Sequence, residues 1–550
     1  MDSLRAFSVA TAVFVGAVLS GCGGGFHSSG STPPSNASPV SVQVSGNASP
    51  LSSSCGTTVP TGTTETYTLG SGIQPQIAAI PQGAVVGVWE QDRWTGYGAR
   101  AIMTARSTDS GAAWSTPGVL PFSNCGGGAA AGSTYDRASD PWISFAGSGT
   151  VVASALAFSA NGFTASGGFS TTGGPSAVLV SRSTDGGSTW SAPVAVWSDA
   201  NSGTGPFYFN DRDSVTADPS GNVYVVWDRL NSTGTSSAPA YLALSKDGGV
   251  TWSSGILYDP LGTNEAFNNE IAILTSGTVL DFFTLVPSTG PASLQVVTLS
   301  FSSTGWSASA PVTVATMQPV GTSNPIPLGT PIRDSFLLAQ VAVDSASGGN
   351  GAVAAVWQQS FTSSAFDGIA LSVSTNSGAT WSTPVQVNGV TSVAAFSPTV
   401  RYLPNGVLAV TYYDLRNYVS GSSVLSTGAW LTESSDGGKT WHELQLQSPF
   451  DLNNAPRADD TRLGFGSTAL FLGDNQGLGL VGSNPLPFYA ATSSAGAHVD
   501  ATQSPSPLTS SSAHTYTAAA LGRLSAAATA KAKANVERIR QRGVASAAQR

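Results

Sequence analysis

The chain has 550 residues, with 22 Lys+Arg, 31 Asp+Glu and only 10% of positions charged, against about 25% in an ordinary soluble domain. With 63 glycines, 32 prolines, 13 tryptophans and 41% hydrophobic residues, the composition excludes a charge-rich disordered chain, a coiled coil and a nucleic-acid binder with a broad basic face. It suits an exported all-β protein.

Arg5 precedes an apolar run from Ala6 to Leu19. The run is short for a membrane span and ends in small residues, as a secretory signal does. The junction Leu19-Ser20-Gly21-Cys22 resembles a bacterial lipobox. That resemblance implies a signal over residues 1–21, lipid on Cys22, and a chain held outside a bacterial membrane. A plain signal peptide with an incidental cysteine is the other reading. Residues 22–56 are rich in Gly, Ser and Pro and read as a tether. Cys55 and Cys125 remain, and export permits a disulfide between them; two free thiols are the alternative.

An octapeptide then recurs at Ser107–Trp114, Ser183–Trp190, Ser245–Trp252, Ser374–Trp381 and Ser434–Trp441, with a worn copy at Ser300–Trp306. Its chemistry is that of a turn. The acidic or amide side chain (Asp109, Asp185, Asp247, Asn376, Asp436) accepts backbone N–H groups, glycine supplies positive φ, and the tryptophan packs on the hairpin. These five are assigned structural roles. Alternating apolar runs such as Asn222–Trp227, Ala352–Trp357 and Val407–Tyr412 read as strands. The unit is four short strands, and radial repetition of such a unit makes a β-propeller. Six units start near Ile73, Asp140, Asp213, Glu270, Ser335 and Ser397. An incomplete seventh runs from about Gly466 to Ser493, which a strand within residues 40–70 would complete. The expected fold is all-β, a propeller of four-stranded antiparallel blades over residues 57–500, seven blades with six as the alternative.

On these octapeptides the chain resembles the sialidase superfamily, with its Asp-box (BNR) repeats, over roughly residues 73–494. The resemblance implies an exo-acting glycoside hydrolase in which arginines grip a substrate carboxylate, a Tyr–Glu pair is the nucleophile and an Asp is the acid/base. Asn269–Gly277 looks like the segment bearing the nucleophile's glutamate, which points to Glu270, and Asp140 and Asp213 are candidates for the acid/base. The segment Ala395-Phe396-Ser397 looks like the tyrosine-bearing one, but Phe396 stands at the tyrosine position and has no oxygen with which to attack.

Propeller connectivity places the octapeptide turns on one face. Loops leading into first strands and following second strands lie on the other, and the scarce charges gather there. The former carry Asp136-Arg137, Asp140, Asp211-Arg212-Asp213, Arg333-Asp334, Asp459-Asp460 and Arg462; the latter carry Glu90, Asp92 and Arg93, Asp228-Arg229, and Asp414 with Arg416. Two readings stand. Arg93, Arg137, Arg212, Arg229, Arg333, Arg416 and Arg462 line a polar mouth that clamps an acidic group, or the same side chains are ion pairs between blades. Paired carboxylates there suit acid/base work or Ca²⁺; no cofactor is required and the metal is unknown. Trp94, Phe207, Tyr208, Tyr412 and Tyr413 offer stacking surfaces for sugars. Residues 501–550 form a Ser/Pro linker and a basic Ala-rich tail, with 7 basic and 1 acidic residue, read as a frayed solvated tail or a basic helix touching acidic polymer or lipid. The expected partners are a glycan or other cell-surface ligand and a membrane reached through the anchor, with no nucleic acid and a monomeric chain. Ligand binding and hydrolysis both remain open.

Overall fold

A computed structural model describes residues 39–59, 65–128, 135–147, 149–162, 174–202, 206–232, 235–346, 351–361, 366–459, 468–509, 514–522 and 524–541. Cys22, Asp460 and Arg462 lie outside the described residues. The fold is all-β, with one α-helix among the described residues.

Successive antiparallel meanders build it. The first pairs Gly72–Ile80, Ala84–Arg93, Ala99–Ser107 and Gly118–Leu120, and the second Arg137–Ala146, Thr150–Phe158, Ser176–Ser183 and Val194–Asp199. The third comprises Tyr208–Ala217, Val223–Asn231, Ala240–Ser245 and Ser253–Tyr258; the fourth Glu265–Ile273, Val279–Val286, Ala292–Ser302 and two short strands that both pair with the last of these. The fifth comprises Ala339–Val343, Val353–Ser360, Asp367–Ser374 and Val385–Gln386, and the sixth Ala395–Tyr402, Leu408–Asp414, Ser426–Ser434 and Thr440–Gln445. The last orders Gly477–Val481, Asn484–Ser493, Gly496–Gln503 and, as its fourth strand, Val40–Gln43 from the other end of the chain. First strands are neighbours in succession, from the first meander to the last, and the last, Gly477–Val481, lies beside the first, Gly72–Ile80.

The core lies between sheets. Strands such as Val353–Ser360 are buried on both faces, and Trp89, Trp227 and Trp357, all fully buried on second strands, fill the layers. The octapeptide turns are built from their own side chains. Asp247 Oδ1 accepts from the N–H groups of Val250 and Thr251 at 3.1 and 2.9 Å and from Ser245 Oγ at 2.7 Å, while Thr251 Oγ1 donates to Oδ2 at 2.6 Å. Asp185 and Asp436 repeat this set, Asp109 accepts from Ala113 N, and Asn376 accepts from Thr380 N. Hydrogen bonds from Thr189 and Thr251 hold the Asp185 and Asp247 carboxyls far below the usual range. At Gly187, with φ +86°, an added Cβ would meet Val86 at 2.6 Å, so this turn needs glycine both for its conformation and for its contact with the preceding sheet. The worn copy makes a tight hairpin instead, pairing Ser302 with Gly305.

A second repeated device sits in the first strands. Pairing slips between Ile73 and Gln76, Ser139 and Trp142, Asp211 and Ser214, Phe267 and Glu270, and Phe396 and Thr399. Inside each slip one non-glycine residue has positive φ: Gln74, Asp140, Arg212, Asn268 and Ser397, all between 51 and 57°. These are β-bulges, which bend a strand and re-aim a side chain. Such backbone costs on the order of 1–3 kcal/mol per residue and persists only where its surroundings impose it. Hydrogen bonds do so here, from Gln74 N to Leu472 O at 3.0 Å, Gln74 Nε2 to Asp140 Oδ1 at 2.5 Å and Asn268 Nδ2 to Ala339 O at 3.0 Å.

Two expectations need correction. The segment 22–56 is not all tether, because Val40–Gln43 gains a full strand's backbone hydrogen bonds on Gly496–Gln503. The basic tail is not frayed. His514–Thr517 and Ala519–Ala520 add to the outer edges of the sixth and fifth meanders, and Ala526–Gln541 is a helix, α1. Ala528, Ala532, Val536 and Ile539 fall on one helical stripe and are all buried. Cys55 and Cys125 are disulfide-bonded, with Cα atoms 5.3 Å apart.

Candidate functional site

Three of the five bulge residues, Gln74, Asp140 and Arg212, line one open pocket. Its charged lining is Arg93, Arg212, Arg333, Asp140, Asp211, Asp334 and Asp474; Gln74, Tyr97 and Ser139 add polar groups, and Phe158, Phe209, Phe267, Phe336, Leu338 and Ile539 form an apolar side. Each arginine arrives by a different route. Arg93 ends a second strand and Arg212 stands on a bulge. Arg333 belongs to a short strand, Ile332–Arg333, that runs parallel to Thr468–Phe471. That pairing sets the Arg333 guanidinium 4.3 Å from the Phe471 ring centroid, and Arg93 lies 5.3 Å from the same ring.

Asp474 organises the arginines. Its Oδ2 lies 2.7 Å from Arg212 and 2.8 Å from Arg333, with the carboxylate 4% exposed. Burial works against its charge, yet the two guanidiniums outweigh burial and hold its carboxyl below the usual range. Arg93 is paired more loosely, with Glu90 at 3.5 Å; burial lowers its pKa, and nearby Arg333 lowers it further. Arg212 Nε is buried without a well-formed hydrogen bond, while Arg212 Nη1 and Arg93 Nε lie against Asp474 and Glu90. Asp140 is pushed up by burial, against the pull of Arg212. Asp334 is a positioning group, accepting from Thr322 N at 2.5 Å and Gln358 Nε2 at 3.0 Å.

Asp213 and Glu270 line a smaller void, which shares Asp140 and Arg212 with the pocket. Asp213 faces Ser154 without a well-formed hydrogen bond, and burial raises its carboxyl well above the usual range. Glu270 is enclosed by protein, though partly open to the void, and burial pushes it up to about 8. Its Oε2 accepts from Val341 N at 3.2 Å. Among the described residues no group of three or more His, Cys, Asp or Glu is arranged to hold a metal ion.

The remaining arginines are elsewhere. Arg137 is 1% exposed, pairs with Glu65 at 2.7 Å and lies over Trp94 at 4.4 Å. Arg229 pairs with Asp199 and stacks on Tyr208 at 3.5 Å. Arg416 pairs with Asp414 and Glu443, each at 2.5 Å, over Trp430. In all three a carboxylate holds the guanidinium against an aromatic face; Arg229 reaches from the third meander to the second, whereas both partners of Arg416 lie in its own sixth meander. Trp94, Tyr412 and Tyr413 are buried and present no stacking surface. Phe396 is 2% exposed and packs 5.5 Å from Tyr413, away from the pocket lining. Sequence reasoning missed Gln74, Tyr97, Asp474 and Ile539. For Asp474 the available signal was Gly473-Asp474, a charge in the position where earlier units carry theirs.

No protein-family profile matches the chain, and no curated protein does. Solved structures do resemble it. A Penicillium chrysogenum alpha-L-arabinanase is 14% identical, with 69% of this chain and 94% of that one covered and a TM-score of 0.43. A Dyadobacter fermentans protein of unknown function is 13% identical over 81% and 96%, with a TM-score of 0.41. A Hadza microbial sialidase is 15% identical over 62% and 63%, with a TM-score of 0.40; this chain thus spans less than two thirds of that sialidase.

Proposed function

We propose that this protein is a lipid-anchored β-propeller of the cell envelope that binds an acidic glycan, or another acidic surface ligand, in the pocket lined by Arg93, Arg212 and Arg333. Seven blades, with Val40–Gln43 closing the ring, are part of the proposal; the cyclic succession of first strands supports it. The observation that carries the function is the convergence of three arginines, drawn from three separate segments, on one open pocket. Planar guanidiniums suit bidentate capture of a carboxylate, and the apolar side suits the carbon face of a sugar. Exo-acting hydrolysis is the second reading. It is favoured by Asp140, a buried carboxyl with a raised pKa in the pocket wall, as a general acid requires; Asp213 and Glu270 lie beside it in the smaller void. Buried Phe396 supplies no nucleophile.

The test is calorimetric titration with acidic and neutral sugars, with product analysis alongside. Arg333→Gln removes one clamp but leaves Asp474 paired with Arg212, so the fold is kept. Loss of one charge-assisted contact predicts at least about tenfold weaker binding of the acidic sugar and no change for a neutral one. Equal binding of both sugars by the wild type would refute the proposal.

A further inference from the structure

We infer that helix α1 is a wall of the ligand pocket and that Ile539 limits a ligand to the terminal unit of a chain. The inference rests on the acidic-ligand reading for its ligand but on separate residues for its wall. Ile539 lines the pocket together with Phe267, Phe336 and Leu338 and shares one buried cluster with them. It is 3% exposed, and Val536, on the same helical stripe, is 1% exposed.

Polar ties fix the helix where it lies. Asn535 Nδ2 donates to Pro319 O at 3.0 Å, Lys531 Nζ to Ser323 Oγ at 3.0 Å and Arg540 Nη2 to Gly290 O at 2.6 Å. These partners belong to two loops on the pocket's own face, the one after Val279–Val286 and the one leading to Arg333. The last described element of the chain therefore completes a site whose arginines come from the first unit, the third unit and the strand leading to the fifth. A polymer threaded across the mouth needs a way out on both sides of the captured sugar, and α1 fills one side. A chain end, with its acidic group toward the arginines and its carbon face toward Ile539, needs only one.

The test uses the full chain and two acidic trisaccharides, one with its carboxylate on the terminal sugar and one with it on the middle sugar. The wild type is expected to prefer the terminal acid by at least about tenfold, and Ile539→Ala to lose most of that preference, the scale set by one side chain in a shape-selective pocket. Unchanged preference in Ile539→Ala overturns the inference, as does equal binding of both sugars by the wild type.

A second measurement needs no ligand. A thiol placed by Leu338→Cys is expected to react faster with a charged methanethiosulfonate when Ile539→Ala is added, with the Cys-free parent at that position as the blank. An unchanged rate overturns the wall. If neither trisaccharide binds while the thiol becomes more reactive, the acidic-ligand reading fails and the wall stands.

Discussion

Asp474 is the most informative side chain to change. In Asp474→Asn the Arg212 and Arg333 guanidiniums lose their shared counter-charge, at 2.7 and 2.8 Å. Stripping one partner from a buried ion pair costs about 3–5 kcal/mol. Both arginines keep 13% and 12% exposure, so solvent screens part of the repulsion and the expected loss is about 3 kcal/mol. With an unfolding entropy of about 2 cal/mol/K per residue, a cooperative unit of roughly 500 residues converts this into a Tm lower by about 3 °C. The variant also removes the carboxylate that competes with an acidic ligand for the same donors. Binding of an acidic sugar should therefore tighten while stability falls, and saturating sugar should restore the lost Tm, by about 2.7 kcal/mol at a hundredfold excess over Kd. Differential scanning fluorimetry across a sugar titration reads both effects. A Tm loss with no gain in affinity would show that the arginines serve the scaffold alone. An unchanged Tm would show that Asp474 is not their counterion.

Two further outcomes follow from the turns and the buried acids. Asp247→Ala should cost about 0.5–2 kcal/mol, by analogy with removal of a capping side chain, with ligand affinity unchanged in the folded fraction; weaker binding would place the octapeptides in the site. Folded pKa values raised to about 8 for Glu270 and about 7 for Asp367 and Glu433, all chiefly by burial, mean that the fold keeps protons an unfolded chain releases. Their contribution is complete below the unfolded values near 4 and is lost as pH rises through 7–8, whereas the lowered octapeptide aspartates lose theirs only as pH falls below that range. Tm should peak at about pH 4–5 and decline toward pH 9, less steeply in Glu270→Gln; a flat profile from pH 5 to 9 would contradict the burial of these acids.

The parts of the fold readable in sequence are those made by neighbours in the chain. Ser183, Asp185, Gly187 and Thr189 satisfy one another within a single turn, so the motif and its repetition reveal the meanders. The bulges are different. Gln74, Asp140, Arg212, Asn268 and Ser397 share no side-chain chemistry; three precede proline, and their conformation is imposed by partners such as Leu472 and Ala339. The site divides in the same way. Arg93, Arg212 and Arg333 look no different in sequence from Arg137, Arg229 and Arg416, because what separates them is where the partner carboxylate lies: Asp474 stands in the pocket wall, whereas Glu65, Asp199 and Glu443 lie outside its lining. The stripe through Ala528 and Ile539 is visible as a pattern, but the surface it covers is supplied by residues more than two hundred positions earlier.

Strand Val40–Gln43 finds its partner, Gly496–Gln503, roughly 460 residues further along. At about 5–20 residues per second the ribosome needs roughly 20–90 s to make that partner. Throughout this interval the strand Val40–Gln43 waits without its partner. This pairing is thus a clasp fastened last, and every earlier sheet must assemble without it. A clasp left open that long has a second way to fasten. The Val40–Gln43 strand of one nascent chain fits the Gly496–Gln503 edge of another as well as its own, so crowded synthesis favours exchange of this strand between copies.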